Sequence, residues 1–163
     1  MNSLTTRYIL VMRHAEKPGM LNDPDLSEAG YARANELATY ILDTFGKPDV
    51  IIAAKNSPES HRPVVTVTPL AEHLTPPLTV LTPYTDKQFQ EAADLMLTGD
   101  GYRDRPLIVC CWHHEKIPHL MKALECKEGS FPDLWPDDVF NLILKVGIHS
   151  SGPNTVEEIR EPF

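Results

Sequence analysis

An arginine and a histidine stand together where a short apolar run ends. Residues 8–12 are apolar and rich in β-formers, which predicts a buried strand, and Arg13 and His14 follow it directly. A neutral imidazole is a good nucleophile towards phosphorus near neutral pH, and a guanidinium pairs its N–H groups with phosphoryl oxygens. The pair therefore suggests phosphoryl chemistry, although an Arg-His dipeptide also arises by chance.

A second polar group follows another apolar run. Residues 106–112 predict a strong strand, and His113, His114 and Glu115 come directly after it. A second histidine offers a positive donor for the charge that develops in phosphoryl transfer, and a carboxylic acid can protonate the leaving oxygen. Ligands of parallel α/β sheets bind at the carboxyl ends of the strands, so we expect the two groups to share one site.

Strands and helices must alternate along the chain to position these residues. Further strands are predicted at residues 50–54, 78–81 and 139–146. Helices are predicted from the N-cap Ser27 to the stop at Gly46, and at residues 63–74, 88–97 and 117–124. Residues 15–26 are predicted to form a loop, and the polar tail from His149 onwards is predicted to be irregular. The pattern predicts an α/β three-layer sandwich with a mainly parallel central sheet and helices on both faces, in a single domain over residues 1–163.

Composition narrows the class of partner. The 163 residues carry a net charge of −8, which argues against a nucleic-acid or membrane-surface partner, because such binders need a basic face. An anionic substrate stays possible, since a local pocket can be basic within an acidic protein. The first residues lack the pattern of a secretory signal, and three cysteines suggest reduced thiols, so a cytoplasmic location is expected.

Four segments of the chain resemble the histidine phosphatase superfamily, the phosphoglycerate mutase-like phosphatases. The first is Ile-Leu-Val-Met-Arg-His-Ala-Glu-Lys at residues 9–17, which resembles the family's Arg-His-Gly box with Ala15 in place of the glycine. The others lie at residues 25–34, 57–71 and 107–118. By size the chain is similar to the small phosphatase branch, and the resemblance covers residues 7 to about 124.

The resemblance implies roles for individual residues. His14 corresponds to the phosphate-accepting nucleophile, Arg13 and Arg62 to residues that hold the phosphate oxygens, and Lys17 to a further basic contact. The spacing of Trp112, His114, Ile117 and Pro118 matches a Trp-x-His-x-x-Ile-Pro arrangement in some members, which favours His114 as the second catalytic histidine. With His114 in that role, His113 is implied as a phosphate contact. Alignment on the commoner Gly-His-Ser box points instead to His113 as the second catalytic histidine. The general acid implied by the resemblance is Glu115, with Asp86 and Glu16 as alternatives.

The implied activity is metal-independent hydrolysis of a phosphomonoester or phosphoprotein through a phosphohistidine on His14, with no cofactor. Two alternatives within the fold are a phosphate-binding or regulatory domain that has lost turnover, for which Ala15 leaves room, and a small phosphomutase.

A metal site is a competing interpretation of one region. Five potential ligands lie close together in sequence: Cys110, Cys111, His113, His114 and His119. Adjacent residues of a strand point to opposite faces, and the spacing lacks a Cys-x-x-Cys or His-Glu-x-x-His pattern. We therefore expect the cysteines to be core residues and no metal to be bound.

Overall fold

A computed structural model describes residues 7–20 and 22–163, and within them a six-stranded sheet forms the centre of the molecule. The strand order is β3-β2-β4-β1-β5-β6. The strands are β1 (Arg7–Arg13), β2 (Val50–Ala53), β3 (Val80–Leu81), β4 (Leu107–Trp112), β5 (Leu142–Ile148) and β6 (Thr155–Arg160). The helices are α1 (Glu28–Phe45), α2 (Arg62–His73), α3 (Phe89–Thr98) and α4 (Ile117–Ala123).

The sheet is mixed, so the prediction of a mainly parallel sheet is only partly right. The pairs β1–β4, β4–β2 and β2–β3 are parallel. Strand β5 pairs antiparallel with both β1 and β6. The physical reason lies in the connection after α4: residues 124–141 return the chain to the carboxyl end of β1, where Pro136, Asp137 and Val139 accept hydrogen bonds from Arg13. A strand that starts at this edge must run against β1, and periodicity does not report strand direction.

The tail was predicted to be irregular, which is wrong for its last part. Residues Thr155–Arg160 form the edge strand β6, in register with β5 from Thr155 opposite Gly147 to Arg160 opposite Leu142. The strand lacks an apolar run because it is an edge strand, and Glu157 and Glu158 are exposed on it. Charged residues on an edge discourage pairing with other chains, and they also hide the strand from a hydrophobicity pattern.

Helices cover both faces of the sheet, as the sequence predicts. On one face α1 and α2 supply Leu37, Ile41 and Leu70 to the core, and on the other α3 and α4 supply Met96 and Leu120. The residues of β1 alternate between the two cores. No helix of the described residues is sufficiently long and apolar to span a membrane.

The start of α1 is packed directly against the loop that follows β1. Ser27 caps the helix by accepting a hydrogen bond from the Gly30 N–H, and its own N–H donates to the carbonyl of Glu16. A Cβ on Gly30 would lie 2.3 Å from that same carbonyl oxygen, so only glycine fits there. This contact fixes the backbone two residues after His14.

Candidate active site

The loops at the carboxyl ends of β1, β2, β3 and β4 enclose a cleft of about 490 Å³. The predicted residues Arg13, His14, Lys17 and Arg62 line it, and so do His113, His114 and Glu115. The structure therefore brings together the groups that stand far apart in sequence. The remaining lining residues are Lys55, Ser57, Glu59, Ser60, Thr85, Asp86 and Lys87.

His14 is buried at the base of the cleft, with 2% of its surface exposed. Its Nδ1 lies 2.7 Å from the carbonyl oxygen of Ala15, a contact that requires Nδ1 to carry the proton and leaves Nε2 with a lone pair. Burial, helped by the charges of His113, Arg13 and Arg62 and opposed by the hydrogen bond to Ala15, lowers the pKa of His14 to about 3. The ring is therefore neutral at physiological pH.

Arg13 is equally buried and is held along one side only. Its Nη1 donates to the carbonyl oxygens of Asp137 at 2.6 Å and Val139 at 3.1 Å, and its guanidinium carbon lies 3.9 Å from the Phe140 ring centroid. Its Nε and Nη2 are buried without a hydrogen-bond partner among the described residues. A buried unpaired donor is costly, roughly 1–3 kcal/mol, so two of them on one guanidinium favour the binding of an anion.

The segment 135–140 is the support for Arg13. The indole N–H of Trp135 donates to the carbonyl oxygen of Val139 at 2.9 Å, the same oxygen that accepts from Arg13. The ring of Phe140 also lies 6.3 Å from the ring of His14. This segment therefore holds Arg13 and lies beside His14, a role that the sequence pattern did not reveal.

Arg62 reaches the cleft from the first turn of α2. Its Nε donates to the carbonyl oxygen of Asp25 at 3.0 Å and its Nη2 to that of Asp23 at 2.6 Å, while Nη1 enters no hydrogen bond among the described residues. Burial lowers the pKa of Arg62, and the nearby Asp23 and Asp25 carboxylates oppose that shift. The backbone of the β1–α1 loop thus aims this guanidinium at the cleft.

The histidine in contact with His14 is His113. Their ring centroids are 5.3 Å apart and the planes meet at 70°, an edge-to-face arrangement. His114, the residue that the sequence favours as second catalytic histidine, instead places Nε2 2.7 Å from Oδ1 of Asp137. Burial lowers the pKa of both histidines. The Asp86 charge opposes the lowering of the His113 pKa. At His114 the Arg13 charge lowers the pKa further, and Asp137 opposes that change.

The three candidate acids have different surroundings. Glu16 is absent from the lining of the cleft and accepts two hydrogen bonds from Nε of Arg33, at 2.8 and 3.1 Å. Asp86 and Glu115 both line the cleft, Asp86 half-buried and Glu115 exposed. The Asp86 charge is also the strongest one acting on the pKa of His113, ahead of those of Arg62, His114 and Glu115. The loop that carries Asp86 is anchored because its carbonyl oxygen accepts from the indole N–H of Trp112 at 2.9 Å.

Two cations in the cleft wall were not identified from the sequence. Lys55 follows β2 and Lys87 precedes α3, and both side chains are exposed. No motif marks them. The available signal was that both lie in the loops that follow β2 and β3, because the carboxyl edge of the strands is where α/β sheets bind ligands.

The cysteines lie in the core, as the sequence predicts. Cys110 packs in the α3/α4 face and Cys111 in the α1/α2 face, and burial raises the pKa of both thiols. Within residues 7–20 and 22–163 no three His, Cys, Asp or Glu side chains are grouped as metal ligands would be.

Comparison with known proteins adds solved structures of the same fold. No protein-family model matches the chain, and no curated protein matches it. Among solved structures, it is similar to the protein histidine phosphatase SixA in complex with tungstate, with a TM-score of 0.65 and 16% identity over 94% of this chain and 96% of that one.

Two further structures show the same architecture. Phosphoglycerate mutase from Plasmodium falciparum has a TM-score of 0.63 and 16% identity, over 98% of this chain and 96% of that one. Phosphoserine phosphatase from Entamoeba histolytica, in complex with 3-phosphoglyceric acid, has a TM-score of 0.59 and 16% identity, over 95% and 97%. The protein therefore has the fold of the histidine phosphatase superfamily, the family that its sequence motifs resemble.

Proposed function

We propose that this protein is a metal-independent phosphatase that hydrolyses a phosphomonoester or a phosphoprotein through a phosphohistidine on His14. The observation that carries the proposal is the pairing of a buried neutral imidazole with the unpaired Nε and Nη2 donors of Arg13. A neutral Nε2 has the lone pair that attack requires, and the guanidinium offers donors for two phosphoryl oxygens. The cytoplasmic location predicted from the sequence belongs to the same proposal.

The reaction proceeds in two steps. Nε2 of His14 attacks phosphorus, the bond from phosphorus to the leaving oxygen breaks, and an acid donates its proton to that oxygen. Water then attacks the phosphohistidine, the same carboxylate accepts a proton from it, and phosphate leaves with His14 neutral again. Arg13 and Arg62 hold the phosphoryl oxygens throughout, and Lys17 at the rim adds positive charge.

We assign the second catalytic histidine to His113 and the general acid to Asp86. The ring contact between His14 and His113 supports the first assignment, and the charge of Asp86 at His113 supports the second. A bound phosphoryl dianion raises the pKa of His113, so the ring becomes a donor when substrate is present. In this scheme His114 acts through Asp137 on the segment that supports Arg13, and Glu115 lies at the rim.

Turnover of an aryl phosphate with a chelator present tests the mechanism. We expect the wild-type protein to hydrolyse p-nitrophenyl phosphate in EDTA, and His14→Ala to lose activity by about 10³-fold or more. His73→Ala is the matched control, because His73 is exposed at the far end of α2. An acid-labile phosphoryl group should be trapped on the wild-type protein and be absent from His14→Ala. Activity that survives His14→Ala, or that EDTA alone abolishes, excludes this mechanism.

A further inference from the structure

Positive charge in the cleft extends well beyond the phosphoryl site. Five cationic side chains line the cleft against three carboxylates, although the whole chain carries a net charge of −8. Arg13 and Arg62 lie close to His14, since both of their charges act on its pKa. Lys55 and Lys87 come from other loops, and their charge is not accounted for by a single phosphoryl group.

The strand order separates these lysines from the nucleophile. His14 follows β1, Lys55 follows β2 and Lys87 lies beyond β3, and β4 stands between β1 and β2. Neighbouring strands are about 4.8 Å apart, so β2 lies about 10 Å from β1, and Lys55 follows β2 closely. The loop of Lys87 is joined to Lys55 through the Tyr84 carbonyl oxygen and to β4 through Trp112, next to the acid that we assign to the leaving oxygen. An anion held by both lysines therefore lies on the leaving-group side of the phosphoryl site.

The backbone that carries the two lysines is well anchored. The N–H of Lys55 donates to the carbonyl oxygen of Tyr84 at 2.8 Å, which joins the two loops to each other. The carbonyl oxygen of Asp86 accepts from Trp112, which joins the second loop to β4. The lysines therefore project from a fixed wall, and only their side chains need to order on binding.

The lysines are also available to a ligand. Glu59 and Asp86 come from the same two loops, but the ion pairs of the described residues do not include Lys55 or Lys87. A lysine head group without a partner carboxylate is a compact cation that binds carboxylate or phosphate oxygens.

We propose that Lys55 and Lys87 form a second anion subsite, which selects a phosphoester whose leaving group carries another anionic group. This inference rests on the proposed function, because it treats the His14 end of the cleft as the phosphoryl site. It names a substrate class: a doubly anionic phosphoester with its second carboxylate or phosphate on the side of β2 and β3.

Equilibrium binding of non-hydrolysable phosphonates tests the subsite without requiring turnover. The probes are phenylphosphonate, 4-carboxyphenylphosphonate and 1,4-phenylenebisphosphonate, titrated calorimetrically into wild-type protein and the double variant Lys55→Ala/Lys87→Ala. We expect wild type to bind at least one of the doubly anionic probes about five- to tenfold more tightly than phenylphosphonate. The double variant should lose that preference and keep its affinity for phenylphosphonate. Comparison of 4-carboxyphenylphosphonate with 1,4-phenylenebisphosphonate shows whether the subsite prefers a carboxylate or a phosphonate.

The matched control is Lys47→Ala/Lys127→Ala, which removes the same charge from two exposed lysines outside the cleft lining and should keep the preference. The subsite is overturned if wild type shows no preference, if the preference persists in Lys55→Ala/Lys87→Ala, or if the affinity for phenylphosphonate falls equally. Absence of turnover with an intact preference would instead count against the phosphatase mechanism alone.

Discussion

His14 is a buried histidine whose neighbours include two cations, Arg13 and Arg62. Arg13 and Arg62 repel one another, and burial lowers the pKa of Arg13 to about 10, with the Arg62 charge adding to the shift against the opposing charge of Asp137. A protonated His14 would add a third positive charge, so the neutral ring is strongly favoured. A bound phosphoryl dianion relieves the repulsion between the arginines. The same charges that help burial to keep His14 neutral therefore also favour binding of the substrate.

The general acid can be identified by its dependence on the leaving group. In Asp86→Asn we expect kcat/KM for an alkyl phosphate to fall by about 10²-fold or more, because an alkoxide must be protonated as it leaves. The same variant should hydrolyse p-nitrophenyl phosphate with only a small loss, since nitrophenolate leaves without a proton. The measurement is kcat/KM for both substrates.

Glu115→Gln serves as the control for this assignment. Glu115 lines the same cleft but is exposed, and its replacement should affect both substrates similarly and weakly. If Glu115→Gln shows the leaving-group dependence and Asp86→Asn does not, the acid is Glu115, as the sequence resemblance implied.

At the scale of elements, the loop after β1 depends on the start of α1. The Glu16 carbonyl accepts from both the N–H and the hydroxyl of Ser27, and the Glu16 side chain pairs with Arg33 further along the helix. Arg33 also pairs with Glu161, which follows β6. The loop that carries His14, the proposed nucleophile, is thus held by one helix and by the edge of the sheet.

Gly30→Ala should disrupt this support. The added methyl group would lie 2.3 Å from the Glu16 carbonyl oxygen, and backbone must shift to accommodate it. We expect the free energy of unfolding to fall by about 2 kcal/mol or more, measured by urea denaturation. The activity of the folded protein should fall more than tenfold, because small displacements of catalytic groups are costly.

Gly19→Ala, in the loop between β1 and α1, is the control, since an added Cβ there meets nothing within 4 Å. It should leave both stability and activity close to wild type. A Gly30→Ala variant with wild-type stability would contradict the packing described for the β1–α1 junction.

At the scale of the whole molecule, the buried histidine links folding to pH. The pKa of His14 is about 3 in the folded state and near 6.5 in the unfolded chain, so below pH 6.5 the unfolded state binds more protons. The stability that this residue contributes is therefore complete above pH 6.5 and is lost as the pH falls towards 3.

We expect wild type to lose stability relative to His14→Gln by about 1 kcal/mol per pH unit between pH 6 and 4. Urea denaturation of both proteins across this range measures the difference. Taking the difference matters because other groups titrate nearby: burial raises the pKa of Glu161 to about 7, which has the opposite effect. Parallel stability profiles for the two proteins would contradict a buried neutral His14.

The sequence by itself determined the layers, most elements and many of the residue types that line the cleft. Apolar runs and helical periods reflect which residues are buried, and they predict β1 and β4 directly. The start of α1 follows from its capping residue, Ser27. The motifs around His14, Arg62 and His113-His114 supplied the residue types, because those side chains follow a strand directly or begin a helix.

Only the tertiary structure decided which of these residues meet. Adjacent residues such as His113 and His114 share the same local pattern, yet one contacts His14 and the other contacts Asp137, because the return of residues 124–141 places Asp137 beside Arg13. The same return sets the direction of β5 and thereby the mixed sheet. Lys55 and Lys87 enter the cleft through the strand order and through loop contacts to Tyr84 and Trp112, which are long-range pairings that no local sequence pattern encodes.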